Sequence, residues 1–311
     1  MERIWGGRSL ERLYGKALPP GVPIGESWEI ADRPDASSVV ANGPLVGKDL
    51  RWLMTHHAAA LLGPRLARRH KVFPLLIKIL DAQEKLSLQV HPPPRVAARL
   101  GGDPKTEMWF ITHAEAHAEL FVGLKAGVTR AAFQQRIEDG TVADCFQRLR
   151  VRAGDAMFLP SGRVHAIGAG NVIFEIQQNS DTTYRVFDWN RVGLDGRPRA
   201  LHVAESLASI DFEDFAPRLI RRTPAAMRTL VDDPLFRIEA RRLAAKQRQR
   251  LAGGTTQILA VVKGRMQVTD AVSQTTVRLA PGGFCLLPAR LGSVRVTAET
   301  GVQFLRIATG G

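Results

Sequence analysis

The chain has 311 residues and a mass of 34.1 kDa, a length that suits about two domains. Its 45% hydrophobic and 23% charged residues exclude a mainly disordered chain, and its two cysteines, Cys145 and Cys285, exclude a disulfide framework or a Cys-rich zinc module. The formal charge is +13, from 43 Lys and Arg against 30 Asp and Glu, but the arginines are scattered and aromatics are only 6%, so no stacking platform for a specific nucleic acid is expected.

A phosphorylated small molecule suits the same charge. No apolar run approaches the ~18 residues of a membrane span. The N-terminal MERIWGGRSL has no long apolar core, so no secretory leader is expected, and the cytoplasm is the expected compartment.

Residues 1–50 are rich in Gly and Pro, with short extended pieces such as SWEIADR. Residues 51–70 read as a helix broken near Gly63-Pro64. His56, His57 and His70 lie there and are expected to cap or face solvent. Strands follow: FPLLIKIL (73–80), nearly all apolar as in a buried strand, LSLQVH (86–91) up to a Pro stop, and TEMWFI (106–111). Residues 129–148 have helical spacing, with Phe133, Ile137, Val142, Cys145 and Phe146 among the apolar positions. From 151 on, short strands alternate with Gly and Pro, as in an all-β sandwich or barrel.

One segment echoes another. VRAGDAMFLPSGRVH (151–165) aligns with LAPGGFCLLPARLGS (279–293) at an offset of 128, pairing Gly154 with Gly282 and Pro160 with Pro288. Such a repeat suggests two copies of one β domain. In the alignment His165 becomes Ser293.

Alternate side chains of a strand share a face. Ser87, Gln89 and His91 therefore face one side, opposite Leu86, Leu88 and Val90. Lys105, Glu107 and Trp109 likewise share a face. Each pattern alone also suits an ordinary surface strand. His165 sits in an apolar strand after a Pro-Ser-Gly turn. Together, Gln89, His91, Glu107 and His165 form an N and O ligand set suited to zinc or another divalent ion. Lys78 interrupts an apolar run and needs a partner or a route to water. In VIFEIQQNSDTTYRVFDWNR (172–191), Glu175 follows an apolar run. Arg185 offers a permanently charged fork for an oxyanion, or for an ion pair with Asp181 or Asp188.

At GESWEI (25–30), FPLLIKILDAQEKLSLQVHP (73–92), KTEMWFI (105–111), LPSGRVHAIG (159–168) and FEIQQNSDTTYRVFDWNR (174–191), the sequence resembles the type I mannose-6-phosphate isomerases, in their short bacterial form. The resemblance implies a mainly β bicupin: two jelly-roll barrels with short helical segments. Residues 1–222 would form the barrel with the metal and substrate site, including helical segments near 51–70 and 129–148. Residues 223–311 would form a cupin-like barrel without metal ligands. It also implies one Zn2+ per chain, held by His91, Glu107 and His165, with Gln89 as a fourth ligand. Arg185, Lys105 and Glu175 would be catalytic, Glu175 as a base, while Ser87, Lys78 and Lys105 would bind substrate. The long helical insertion of larger members is absent.

The implied reaction interconverts mannose 6-phosphate and fructose 6-phosphate through an enediolate, assisted by the metal. The implied partner is a small sugar phosphate, with no membrane and no specific nucleic acid, on a monomer or homodimer. Two other readings suit a metal-bearing bicupin: a metal-dependent oxygenase, and a non-catalytic sugar-phosphate-binding protein.

Overall fold

Strands dominate the computed structural model, which describes residues 1–310. The chain divides into two compact units. One comprises 1–10, 17–27 and 78–222; the other comprises 11–16, 28–77 and the chain from Thr223 on. The units are therefore not the two contiguous halves expected from the sequence. Residues 28–77, with the helices expected in the first barrel, go with the C-terminal part. The reason is local: the Leu61 carbonyl accepts from Ala289 N at 2.8 Å and from Thr256 Oγ1 at 2.6 Å, and Ala60 O accepts from Arg290 N at 3.0 Å.

Two five-stranded sheets repeat one order. The first runs Glu26–Ile30, Leu75–Ala82, Asn171–Gln178, Glu107–Ala114, Ala156–Leu159. The second runs Met227–Asp232, Phe236–Leu243, Val302–Thr309, Gln257–Lys263, Phe284–Leu287. The remaining sheets correspond as well. Tyr184–Phe187, Leu88–Val90, His165–Ile167, Glu119–Leu124, Phe146–Arg150 is matched, without its first strand, by Arg248–Ala252, Ser293–Ala298, Met266–Asp270, Thr276–Leu279. The aligned segments of the sequence repeat carry Ala156–Leu159 and Phe284–Leu287, which occupy the same edge in their sheets.

The repeat slips by one residue at its end. Leu251 and Val294, directly opposite each other, belong to the second unit's apolar core, while Arg250 is exposed and donates from Nε to Ser293 Oγ at 3.1 Å. A one-residue shift exchanges the faces of a strand. Ser293 thus lies on the outer face, and Val294 takes the inward place that His165 holds in the first unit.

The expected helix at 51–70 is Leu50–Leu62 followed by Pro64–Arg69. Asp49 caps the first by accepting from Trp52 N at 2.7 Å, Gly63 at φ 82° ends it, and Pro64 starts the next. His56 and His57 are exposed, and His70 is the C-cap. The expected helix at 129–148 is shorter. It spans Arg130–Glu138 with Thr129 as N-cap, and Gly140 at φ 71° stops it. Residues 142–145 form a 3-10 turn and Phe146–Arg150 a strand paired with Glu119–Leu124. Val142, Cys145 and Phe146 are buried as predicted, but from a turn and a strand. No helix among the described residues is long and apolar enough to cross a membrane.

Candidate active site

Three antiparallel strands place three side chains in one row. Gln89 is opposite His165 on one side and opposite Arg185 on the other. Residues opposite across antiparallel strands share a face, so all three point toward the interior of the first unit. The facing sheet contributes a second row: Glu107 opposite Gln177, and Trp109 opposite Glu175.

The start of the Glu107–Ala114 strand is fixed before it enters the sheet. Ser161 Oγ accepts from Lys105 N at 2.9 Å, and Gln178 Oε1 accepts from Thr106 N at 2.9 Å. Gly102 lets this loop pass close to Thr182, since a Cβ there would lie 2.7 Å from Thr182 Cγ2. Thr182 in turn accepts a hydrogen bond from His91 Nδ1 at 2.8 Å through its carbonyl, and Arg163 O accepts from His165 Nδ1 at 2.8 Å. Both histidines therefore turn an unprotonated Nε2 into the site.

His91, Glu107 and His165 offer ligand atoms all within 4.8 Å of one another, and all three residues are fully buried. His91 Nε2 is 3.2 Å from Glu107 Oε1, and His165 Nε2 is 3.8 Å from Glu107 Oε2. Nε2 of His91 and both carboxylate oxygens are buried without a well-formed hydrogen bond. Here an imidazole lone pair faces a carboxylate lone pair, an arrangement that a cation between them satisfies. The residues therefore fit a divalent metal. Gln89 Nε2 lies 3.3 Å from His165 Nε2, and Gln89 Oε1 accepts from Ser87 Oγ at 3.4 Å.

The electrostatics suit the same use. Burial, reinforced by His91, pushes His165 down to about 3, and burial and Lys105 lower His91, so both rings are neutral ligands. Burial would raise Glu107, but the Lys105 ammonium 3.1 Å away outweighs it and holds the carboxyl well below its usual range. Burial opposes the charge on Lys105, yet Glu107, Glu175 and Asp181 prevail and raise its pKa. Glu175 differs: burial and the Glu107 charge push it up to about 7 against the pull of Lys78 and Lys105.

A cavity of about 580 Å3 opens beside this group, and Lys78, Ser87, Gln89, Lys105, Glu175 and Arg185 line it. The structure thus gathers all nine sequence candidates. Lys78 is buried among carboxylates, 3.6 Å from Glu175, 3.8 Å from Glu26 and 3.8 Å from Asp181. Arg185 has neither of its expected ion pairs. Asp188 is bound by Arg191 and by both nitrogens of an Arg199 fork, and the Arg185 side chain donates only from Nη1 to Ala200 O at 2.8 Å, leaving Nε buried without a partner. A left-handed turn at Trp189 and Asn190, φ 57° and 55°, precedes Arg191 in this loop.

Several participants were given no such role from the sequence. Glu26 and Asp181 balance Lys78, Thr182 orients His91, and Trp109 donates from Nε1 to Glu175 Oε1 at 3.0 Å. Each lies inside a quoted motif, GESWEI, SDTTYR or KTEMW, but their partners are distant in sequence.

A family model for the phosphomannose isomerase type I catalytic domain matches residues 1–103. A mannose-6-phosphate isomerase of Streptococcus mutans is 33% identical over 296 residues, which cover 94% of this chain and 91% of that protein. A probable mannose-6-phosphate isomerase of Bacillus subtilis is 42% identical over 211 residues, 67% of this chain and 65% of its own length. The crystal structure of mannose 6-phosphate isomerase from Bacillus subtilis matches with a TM-score of 0.86 at 30% identity, covering 99% of this chain and 96% of that one. With a relative aligned over nearly its whole length, and the candidate residues gathered around one cavity, the chain belongs to the type I mannose-6-phosphate isomerase family.

Proposed function

We propose that the chain interconverts mannose 6-phosphate and fructose 6-phosphate, with one zinc ion per chain at His91, Glu107 and His165 and with Gln89 turning its carboxamide oxygen toward the ion as a fourth ligand. The observation that carries this reading is the buried, mutually facing acceptor set of His91 and Glu107 beside a cavity lined by Lys78, Lys105 and Arg185. In this reading the two repeated units are jelly-roll barrels of a bicupin. When bound, zinc supplies Lewis acidity toward the sugar's carbonyl and hydroxyl oxygens.

The protein groups do the rest. Glu175 takes the proton from C2 of the aldose and returns it to C1, while the hydroxyl proton passes from O2 to O1. Its raised pKa suits a group that must both accept and give a proton near neutral pH. As the C2–H bond breaks, negative charge grows on O1 and O2, and the Lys105 ammonium and the Arg185 guanidinium meet it. Ser87 and Lys78 hold the phosphate as donor and point charge. The same doubly charged substrate does not cross a bilayer unaided, which suits a cytoplasmic enzyme; it acts as a monomer or homodimer.

The test is to incubate zinc-loaded protein with mannose 6-phosphate and follow fructose 6-phosphate. Stoichiometric conversion supports the reading. Binding without turnover would leave a sugar-phosphate-binding protein, and consumption of dioxygen would leave an oxygenase.

A further inference from the structure

The charge of +13 is concentrated. From Thr223 on, the chain has thirteen Lys and Arg against five Asp and Glu. Those five acids are engaged elsewhere. Asp232 and Glu239 pair with Arg237, and Glu239 also with Arg241 and Arg306. Glu299 lies 3.5 Å from Arg278, while Asp233 and Asp270 accept from the backbone of their own turns.

On the outer face of the four-stranded sheet, Arg250 stands directly opposite Arg295, and Arg248, two residues before Arg250, shares that face. All three are exposed. Among the described residues, the side chains of Arg248 and Arg295 make no hydrogen bond or ion pair, and the only side-chain bond of Arg250 goes to Ser293 Oγ. Ser293 itself is only 4% exposed. These four residues and Ala271 line a cavity of about 420 Å3. Like charges directly opposite on antiparallel strands destabilise a sheet. Three guanidiniums and one hydroxyl line the same cavity with no carboxylate among its lining residues, a donor set suited to an anion. The guanidinium forks match the oxygens of a tetrahedral oxyanion, and the serine adds one neutral donor.

We propose that Arg248, Arg250, Arg295 and Ser293 bind a phosphate group, as inorganic phosphate or as a small phosphate monoester, at a site separate from the isomerase cavity. The cavity volume lies within the range of small-ligand sites.

The test uses the full, zinc-loaded chain labelled with 15N at low ionic strength. Inorganic phosphate and, separately, glycerol phosphate are titrated while the amides of 248–251 and 293–296 are followed. Saturable shifts with inorganic phosphate alone identify the free ion as ligand, and tighter saturation with glycerol phosphate identifies the monoester; both support the site. Arg250→Thr with Arg295→Thr should weaken binding by at least roughly tenfold. The variant should melt no lower than wild type in phosphate-free buffer, because the like-charge pair is gone, and should keep wild-type isomerisation. Arg248→Ser supplies a milder second variant, with weaker saturation at the same amides. An equal response to sodium chloride at matched ionic strength would show screening alone and overturn the proposal. So would unchanged saturation in the double variant, or shifts caused by a short RNA but not by phosphate.

Discussion

Gln89 and Arg185 stand directly opposite each other on adjacent antiparallel strands, with His165 completing the row on the far side of Gln89. The row links the metal-ligand group to the one cationic side chain of the cavity that has no carboxylate partner. Arg3, Lys78, Lys105 and Arg199, which also line the cavity, have carboxylates within 4.0 Å. The charge at Arg185 is therefore not taken up by a salt bridge and is available to a bound anion.

The ligand set predicts metal dependence. Purified protein should hold about one divalent ion per chain, and chelation should abolish isomerisation until zinc is restored. His91→Ala, Glu107→Ala and His165→Ala should each lose the ion by elemental analysis, and Ser293→Ala should retain it. Full activity in demonstrably metal-free protein would sink the assignment.

Metal-free protein should lose stability in acid. His165 falls from its ordinary 6.5 to about 3 in the folded chain, first through burial and then through His91. Between those values the unfolded chain binds the extra proton. The stabilisation is thus present above about pH 6.5 and is lost as pH falls toward 3, by at most about 1.4 kcal/mol per pH unit. Urea denaturation of chelated protein at pH 7 and pH 5 measures this slope. His165→Asn should flatten it, and an unchanged slope would refute the cause given.

Much of this site was legible in the sequence because strand alternation is local: QVH and KTE each announce a polar face, and the structure turns those faces toward each other. What was not legible depends on distant packing. Nothing in residues 28–77 states that Leu61 will accept from Ala289 and Thr256. The periodicity of Val142, Cys145 and Phe146 hides the stop at Gly140. The alignment of His165 with Ser293 is off by one residue, enough to mistake an outer side chain for an inner one. The Trp109–Glu175 bond joins residues 66 apart, so neither predicts the other.

Glu175 predicts two pH effects of different kind. Removal of the C2 proton needs the carboxylate, so kcat/KM should rise with pH through about 7. Glu175→Gln should lose roughly 10²–10⁴-fold in kcat. Stability moves the other way. A carboxyl raised above its unfolded value of 4.5 stabilises the fold below that value, and the contribution is lost as pH rises through about 7. In metal-free protein Glu175→Gln should remove that decline. A pH-rate profile in Glu175→Gln identical to wild type would assign the proton transfer to another group.

Lys78 predicts a split between binding and folding. Lys78→Ala should raise KM for mannose 6-phosphate by roughly 10–100-fold, as loss of a charged donor does, with a much smaller effect on unphosphorylated mannose as substrate. It also leaves Glu26, Glu175 and Asp181 without their shared cation, so melting temperature should fall. Equal losses with both sugars would place the phosphate grip elsewhere.

Arg185 gives the sharpest prediction. Its guanidinium is too basic to accept a proton, and it forms no ion pair whose loss would unfold the chain. Its bond to Ala200 O holds one nitrogen, while the Nε beside it is buried and unpartnered. In Arg185→Ala, zinc content and melting temperature should stay near wild type. The loss should fall on kcat, by roughly 10²–10³-fold, because charge on O1 or O2 is greatest in the transition state. Arg185→Lys should recover little, since a lysine is a point charge and cannot span two oxygens as a fork does. Measuring kcat, zinc content and melting temperature on the same preparations separates the roles. A near-normal kcat with a lowered melting temperature would make Arg185 a strut for the 185–200 loop, and a raised KM with unchanged kcat would move it to the phosphate.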